Sequence, residues 1–397
     1  MAEVRLPAAD WPQREDLAAL VAALDPHGEG LVRYVGGAVR DTLLGIAVKD
    51  IDMATPLEPP AVIEHLQAAS IRSVPTGLAH GTVTAVLEGG PVEITTLRRD
   101  VSTDGRHATV AFSTDWQEDA ARRDFTINAL YADARDLTVH DYFGGLEDLA
   151  ARRLRFIGDP EARIREDYLR ILRYFRFQAR FGSLPADADA EAACSALAPG
   201  LKGLSRERIA SELLMLLALP DPAPTVTRMA ELGVLAVILP EADPAALPPL
   251  IAAEQAHAIA PEPLRRLAAL LPAEPPKVEQ IGARLRLSIA QRKHLAMVAA
   301  RTIPEEAARP LAYKVGREVA LDRLLITGGS IAPLAGWEIP QFPLKGGMIV
   351  ARGVSAGPEV ARILRAVEAK WVAESFPDEA HIMALLDREV TAASGPV

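Results

Sequence analysis

A single cysteine, Cys194, stands in 397 residues, which excludes internal disulfides and any cysteine-built zinc site and fits a reducing compartment. Aromatic residues are scarce at 5%, and no uninterrupted apolar run reaches the length needed to span a bilayer. The opening stretch MAEVRLPAADWPQRED has no cationic segment followed by an apolar run, so no secretory signal is expected. A basic excess is missing as well: 43 Lys and Arg face 53 Asp and Glu, a formal net charge of −10. That sum argues against a surface broadly made for nucleic acid, because phosphate binding needs a basic footprint. A soluble cytoplasmic protein is the expectation, and the 49% hydrophobic and 24% charged content agrees with a globular one. The length exceeds one ordinary core and suggests about two to four domains.

What the chain does contain is concentrated in Gly36 to Asp52, GGAVRDTLLGIAVKDID. Two glycines follow a β-type run (Leu31, Val32, Tyr34, Val35), a short helical pattern comes next (Ala38, Val39, Leu43, Leu44), and Gly45 returns the chain to a strand. Side chains alternate on a strand, so Asp50 and Asp52 project to one side while Ile51 and Met53 face the other. Two carboxylates so close repel unless a cation sits between them, and hard oxygen ligands suit Mg²⁺. Gly36 and Gly37 allow backbone to approach a phosphate, and the following helix start favours an anion. Arg40, one turn in, adds a guanidinium for a phosphate oxygen.

Residues 14–25 carry Leu17, Leu20, Val21 and Leu24 at helical spacing, and residues 60–69 form a second helical pattern opened by prolines. His80 to Leu87, a Gly89-Gly90 turn and Val92 to Leu97 read as a β-hairpin. Glu93 then lies on a strand that can neighbour the Asp50 strand. It is either a third carboxylate of a two-metal phosphoryl-transfer site or a solubilising charge on an edge strand. Arg98 to Ser113 is polar and glycine-containing, and reads as a mobile loop near the site. The block Arg122-Arg123-Asp124-Phe125-Thr126-Ile127-Asn128-Ala129-Leu130 has the pattern of a helix start or of a charged site motif. A strand and turn follow at 137–145, where His140-Asp141 lacks the companions of a metal-dependent phosphohydrolase.

From Asp159 the chain reads as one long helix, with Leu169, Leu172, Phe175 and Ala179 as its apolar stripe. Glu166, Asp167, Arg170 and Arg173 fall on the opposite arc. Arg152 to Arg180 holds nine arginines (152, 153, 155, 163, 165, 170, 173, 176, 180) against four acidic residues (159, 161, 166, 167), a local basic stripe on an acidic protein. Asp167 and Arg170, three apart, are either a surface ladder or a base reader. As a reader, arginine would donate to the O2 and N3 acceptors of cytosine while aspartate accepts from its exocyclic amine. Helices are expected at 187–198, 205–219, 225–236, 246–256, 262–271 and 277–300, with Arg208 and Glu212 bracing the second of these.

GGAVRD followed by KDIDMAT resembles the head of the class II tRNA nucleotidyltransferases, the CCA-adding enzymes, and of their relatives the bacterial poly(A) polymerases. The VEITTLR, RRDFTINAL and Glu166-Asp167-Tyr-Leu-Arg170 blocks match the family in order, and the P-L-K-G turn at 343–346 resembles its tail, with Met348 where many relatives carry an acidic residue. The resemblance implies a polymerase-beta-type α/β head with a mixed five-stranded sheet over 1–145. An all-α neck at 146–200, body at 201–300 and tRNA-contacting tail at 301–397 would follow. It implies Asp50, Asp52 and Glu93 as catalytic metal ligands for Mg²⁺, and Gly36, Gly37 and Arg40 as the triphosphate cradle. Arg123 and Asp124 are implied at the nucleotide's phosphate or ribose, Asp167 and Arg170 as the amino-acid template for CTP and ATP, and Arg173 and Arg176 extending toward triphosphate or RNA. The implied activity is addition of CMP, CMP and AMP to the tRNA 3′ end. A poly(A) polymerase, an enzyme adding only part of CCA, and an RNA-binding protein on the same fold are the alternatives. The SIRSVPTGLAHGTVTAV stretch resembles the CCA-adding pattern and lacks the basic-aromatic strand associated with bacterial poly(A) polymerases.

Overall fold

The computed structural model describes residues 4–104, 107–303 and 307–394, and the chain divides into two units, Met1–Pro240 and Glu241–Val397. In the first unit a helix, α1 (Glu15–Leu24), buries Leu17, Leu20, Val21 and Leu24, the stripe its spacing requires. The chain then alternates β1 (Arg33–Val35), α2 (Gly37–Leu43), β2 (Ile51–Thr55), α3 (Pro59–Ala68), β3 (Ser73–Gly77), β4 (Thr82–Leu87) and β5 (Gly90–Thr96). After β6 (Arg98–Asp104) and β7 (His107–Phe112) come α4 (Trp116–Ala121), β8 (Leu130–Asp133), β9 (Val139–Asp141) and α5 (Gly145–Ala150).

Among the described residues seven strands form one mixed sheet in the order β3-β4-β5-β2-β1-β8-β9, where five were expected. Among these, β3 and β8 stand where no strand was expected, while β9 is the strand expected within 137–145. Pro75 in β3 is tolerated because an edge strand has a side with no ladder to complete. The expected hairpin is present as β4 and β5, antiparallel. β5 also pairs parallel with β2, and that register sets Asp52 opposite Glu93. Ile51 and Met53 are buried, while Asp52 is only partly covered, so the strand's alternation is as expected.

The run expected as a mobile loop forms its own antiparallel hairpin, β6 with β7. Gly105 and Arg106 lie outside the described residues. Arg122 follows a helix rather than starting one, as the C-cap of α4. Asp141 accepts the amides of Phe143, Gly145 and Leu146 and so fixes the turn into α5.

The long helix expected from Asp159 is two helices, α6 (Pro160–Glu166) and α7 (Leu169–Phe181). Asp167 between them is extended (φ −154°, ψ 106°), and its Oδ1 accepts the amide of Leu169. A short polar side chain that satisfies a nearby backbone N–H competes with helix continuation, which accounts for the break. α7 buries Ile171, Leu172, Tyr174 and Phe175. α8 (Ala188–Leu197), α9 (Arg206–Leu217), α10 (Ala223–Glu231) and α11 (Val234–Ile238) complete the unit. The expected helix 225–236 is split where Gly233 takes φ +75°, a left-handed conformation suited to glycine. Cys194 is buried in α8, and burial pushes its thiol pKa up.

The second unit holds α12 (Leu247–Ala256), α13 (Pro263–Leu270), α14 (Pro275–Arg284), α15 (Ile289–Ala299), α16 (Ala308–Val315), α17 (Arg317–Thr327), α18 (Gly346–Val350), α19 (Pro358–Ala373) and α20 (Glu379–Ser394). The expected helix 277–300 divides into α14 and α15 because Ser288 begins the latter with a capping box closed by Gln291. A buried ionic chain runs through four helices: His294 to Asp322, Asp322 to Arg265, Arg265 to Glu254, and Glu254 to Arg266. Met348 packs against the core of Leu344, Ile349, Ile363, Val367 and Trp371. Among the described residues no helix is long and apolar enough to cross a membrane.

Candidate functional site

An open cavity of about 640 Å³ in the first unit is lined by Gly36, Gly37, Arg40, Asp50, Asp52, Arg123, Asp124, Asn128, Asp167, Arg170, Arg173 and Phe177. Most of the residues expected at the site are therefore brought together from β1–α2, β2, the segment after α4, and the α6–α7 junction. Two are not in its wall. Glu93 sits exposed on β5, across from Asp52, and Arg176 pairs with Glu212 at 2.6 Å while its guanidinium covers Phe177.

Gly36 has φ +65° and ψ −119° at the start of α2, backbone that side-chain-bearing residues avoid. Arg40, only 5% exposed, lies with its guanidinium 4.1 Å from the ring centre of Phe181. It donates to Asp41 at 2.6 and 2.8 Å and to Asn128 Oδ1 at 2.5 Å. Burial lowers its pKa, with Asp41 opposing that loss.

Asp50 and Asp52 both face the cavity. Burial raises the pKa of Asp52, and the carboxylates of Glu93 and Asp50 raise it further, while Arg123 opposes them. Among the described residues no three His, Cys, Asp or Glu side chains stand close enough together to hold a metal ion as they are. The donor chemistry nonetheless fits a divalent cation: the oxygens are hard, the charges alike, and among the described residues no ion pair within 4 Å is formed by Asp52.

Arg123 is framed from behind. Its Nε donates to the Tyr131 hydroxyl at 3.0 Å and its Nη2 to Asp119 at 3.2 Å; Tyr131 in turn donates to Asp119 at 2.6 Å. Burial works against the charge of Arg123, but Tyr131 and Asp119 outweigh it and hold the pKa above the ordinary arginine value. Asp124 accepts two hydrogen bonds from Arg173, at 2.6 and 2.8 Å, and one from Asn128 Nδ2 at 3.0 Å. Those partners overcome its burial and keep it ionised.

The i, i+3 neighbours Asp167 and Arg170 do not bond through their side chains. Arg170 donates to Glu166 at 2.5 Å and to the Arg163 carbonyl at 2.9 Å. Asp167 instead accepts from Arg208 at 2.6 Å. Arg208 was expected to brace its own helix with Glu212, but Glu212 is taken by Arg176. A carboxylate has about four acceptor sites and a guanidinium five donors, so both cavity residues keep capacity for a further polar partner. The basic stripe is largely internally paired: eight of the nine arginines (153, 155, 163, 165, 170, 173, 176, 180) contact a carboxylate.

Asp119, Tyr131, Asn128 and Arg208 were missed from the sequence. Asp119 was findable, since it stands three and four residues before two arginines at a helix end. Nothing in sequence spacing links Arg208 to a residue 41 positions away.

The family model described as "Poly A polymerase head domain" matches residues 32–155. "Probable RNA and SrmB- binding site of polymerase A" matches 186–246. The chain is 36% identical over 362 residues to the mitochondrial CCA tRNA nucleotidyltransferase 1 of Mus musculus, covering 86% of this chain and 82% of that protein. It is 38% identical over 224 residues to the CCA-adding enzyme of Geobacillus thermodenitrificans, 56% of this chain and 54% of that one. The fold is similar to the crystal structure of the Bacillus stearothermophilus CCA-adding enzyme in complex with CTP. Its TM-score is 0.73 at 28% identity, over 96% of this chain and 99% of that chain.

Proposed function

The chain belongs to the family of CCA-adding tRNA nucleotidyltransferases, and from that membership we propose its reaction: template-independent addition of CMP, CMP and AMP to the tRNA 3′ end from CTP and ATP, releasing pyrophosphate. One observation carries the chemistry. A single polar cavity gathers the glycine turn, the Asp50–Asp52 pair and the Asp167–Arg170 pair.

Gly37 and Arg40 hold the triphosphate, Gly36 supplying the turn that brings backbone close to it. Arg123 supports a phosphate oxygen and Asp124 the ribose, while Arg173 holds Asp124 in place. Arg176, tied to Glu212, extends the basic edge away from the cavity. Asp167 and Arg170 choose the base, aspartate accepting from an exocyclic amine and arginine donating to ring acceptors. Asp50, Asp52 and Glu93 would hold the divalent metal, read here as Mg²⁺; when bound, it supplies charge for activating the 3′-hydroxyl and for the departing pyrophosphate. A head at 1–145, neck at 146–200, body at 201–300 and tail at 301–397, and a cytoplasmic location, belong to the same proposal.

The test is direct. A tRNA transcript ending at the discriminator base is incubated with the protein, Mg²⁺ and CTP, ATP or both, and its 3′ ends are sequenced. Two C residues with CTP alone, then one A when both are supplied, is the expected result. A long A tail would assign poly(A) synthesis, C alone or A alone a divided task, and no incorporation would leave RNA binding without catalysis.

A further inference from the structure

The phosphate side and the ribose side of the cavity are joined by one side chain that no assigned role uses. Asn128 Oδ1 accepts from Arg40 at 2.5 Å and Asn128 Nδ2 donates to Asp124 at 3.0 Å. Arg40 has only donors and ionised Asp124 only acceptors, so the network itself fixes which end of the amide faces which partner. The three residues are buried, Asn128 and Asp124 each 8% exposed. The chain continues outward at both ends, to Asp41 and Arg180 beyond Arg40 and to Arg173 and Glu212 beyond Asp124. Arg123 approaches the same turn, its Nη1 lying 3.6 Å from where a Cβ on Gly36 would stand.

We propose that Asn128 is a positioning residue that couples the triphosphate cradle to the nucleotide-facing carboxylate, holding Arg40 and Asp124 at one fixed spacing. The inference rests on the reading of those two groups as nucleotide contacts. Among polar side chains of this size only an amide serves both partners at once, because it carries an acceptor and a donor on one rigid plane. Leucine of similar bulk offers neither. Aspartate keeps the acceptor toward Arg40 but sets a second carboxylate about 3 Å from Asp124, and two such groups favour sharing one proton.

The experiment compares Asn128→Leu and Asn128→Asp with the parent chain, using tRNA and CTP from about pH 4.5 to 8.5, with CTP binding measured by calorimetry alongside. N128L is expected to lose roughly 10- to 100-fold in kcat/KM and in CTP affinity, the scale of one hydrogen bond to a charged group, because Arg40 and Asp124 are displaced and not removed. Its ratio to the parent stays flat with pH. N128D is expected to be as impaired at pH 8.5, and to regain about tenfold relative to the parent toward about pH 4.5, where one proton bridges the two carboxylates while Arg40 and Arg173 hold the pair's titration low. That recovery is a signature mere loss of packing does not produce, and N128D, isosteric with asparagine, carries the test if N128L fails to fold. A flat N128D ratio, or N128L with the parent's CTP affinity, overturns the proposal. A parent chain that adds no nucleotide but binds CTP defeats the functional reading instead, and the calorimetric comparison still decides the coupling.

Discussion

Asp52 and Glu93 stand opposite each other on two parallel strands, β2 and β5, and the second carboxylate raises the pKa of the first. Like charges are placed together here at a cost to the fold, which is how a site built for a cation presents itself. Asp52→Asn is therefore expected to remove at least roughly 10²-fold of kcat, the scale for losing one charge-stabilising group. Its thermal midpoint should not fall, because repulsion is relieved. A variant that unfolds earlier and keeps its activity would contradict both halves.

Arg208 holds Asp167 at 2.6 Å across 41 residues of sequence. Arg208→Ala frees the carboxylate to rotate, and selection of CTP and ATP over UTP and GTP should weaken; a good bidentate base contact contributes about 1–3 kcal/mol of discrimination. Asp167→Ala should erase base choice while pyrophosphate release continues. Competition assays with all four nucleotides measure this, and unchanged selectivity in both variants would remove these residues from base recognition.

Gly36 occupies φ +65°, ψ −119°, where any side chain is strained. The nearest atoms a Cβ would meet are 3.6 and 3.7 Å away, so the cost of Gly36→Ala is conformational, not steric. A loss of about 1–3 kcal/mol in denaturant unfolding is expected. A neutral result would show that the turn relaxes.

In the second unit the hydrogen bond to Asp322 raises the pKa of His294 above its ordinary 6.5, although burial opposes it. A histidine with a raised folded pKa holds its proton more tightly when folded. Its contribution is therefore complete below pH 6.5 and is lost as the pH climbs through the folded pKa. The stability gap between the parent chain and His294→Gln should be widest near pH 6 and close toward pH 9 in urea titrations. A gap that widens with pH would reverse the assignment.

The short-range part of this protein was determined by its sequence. Alternation at Asp50 and Asp52, the glycine turn, the β4–β5 hairpin and the stripe of α1 follow from backbone periodicity and turn chemistry, which act over a few residues. What only the tertiary structure decided is which partner each long polar side chain takes. Arg40 reaches Asn128, Arg173 reaches Asp124 and Arg208 reaches Asp167, over 88, 49 and 41 positions, while the neighbours suggested by helical spacing, Asp167 and Arg170, do not pair. A guanidinium on a flexible stem bonds whatever acceptor the packed elements bring within reach, and burial makes leaving it unsatisfied costly. That proximity is fixed by sheet order and helix packing, not by distance along the chain.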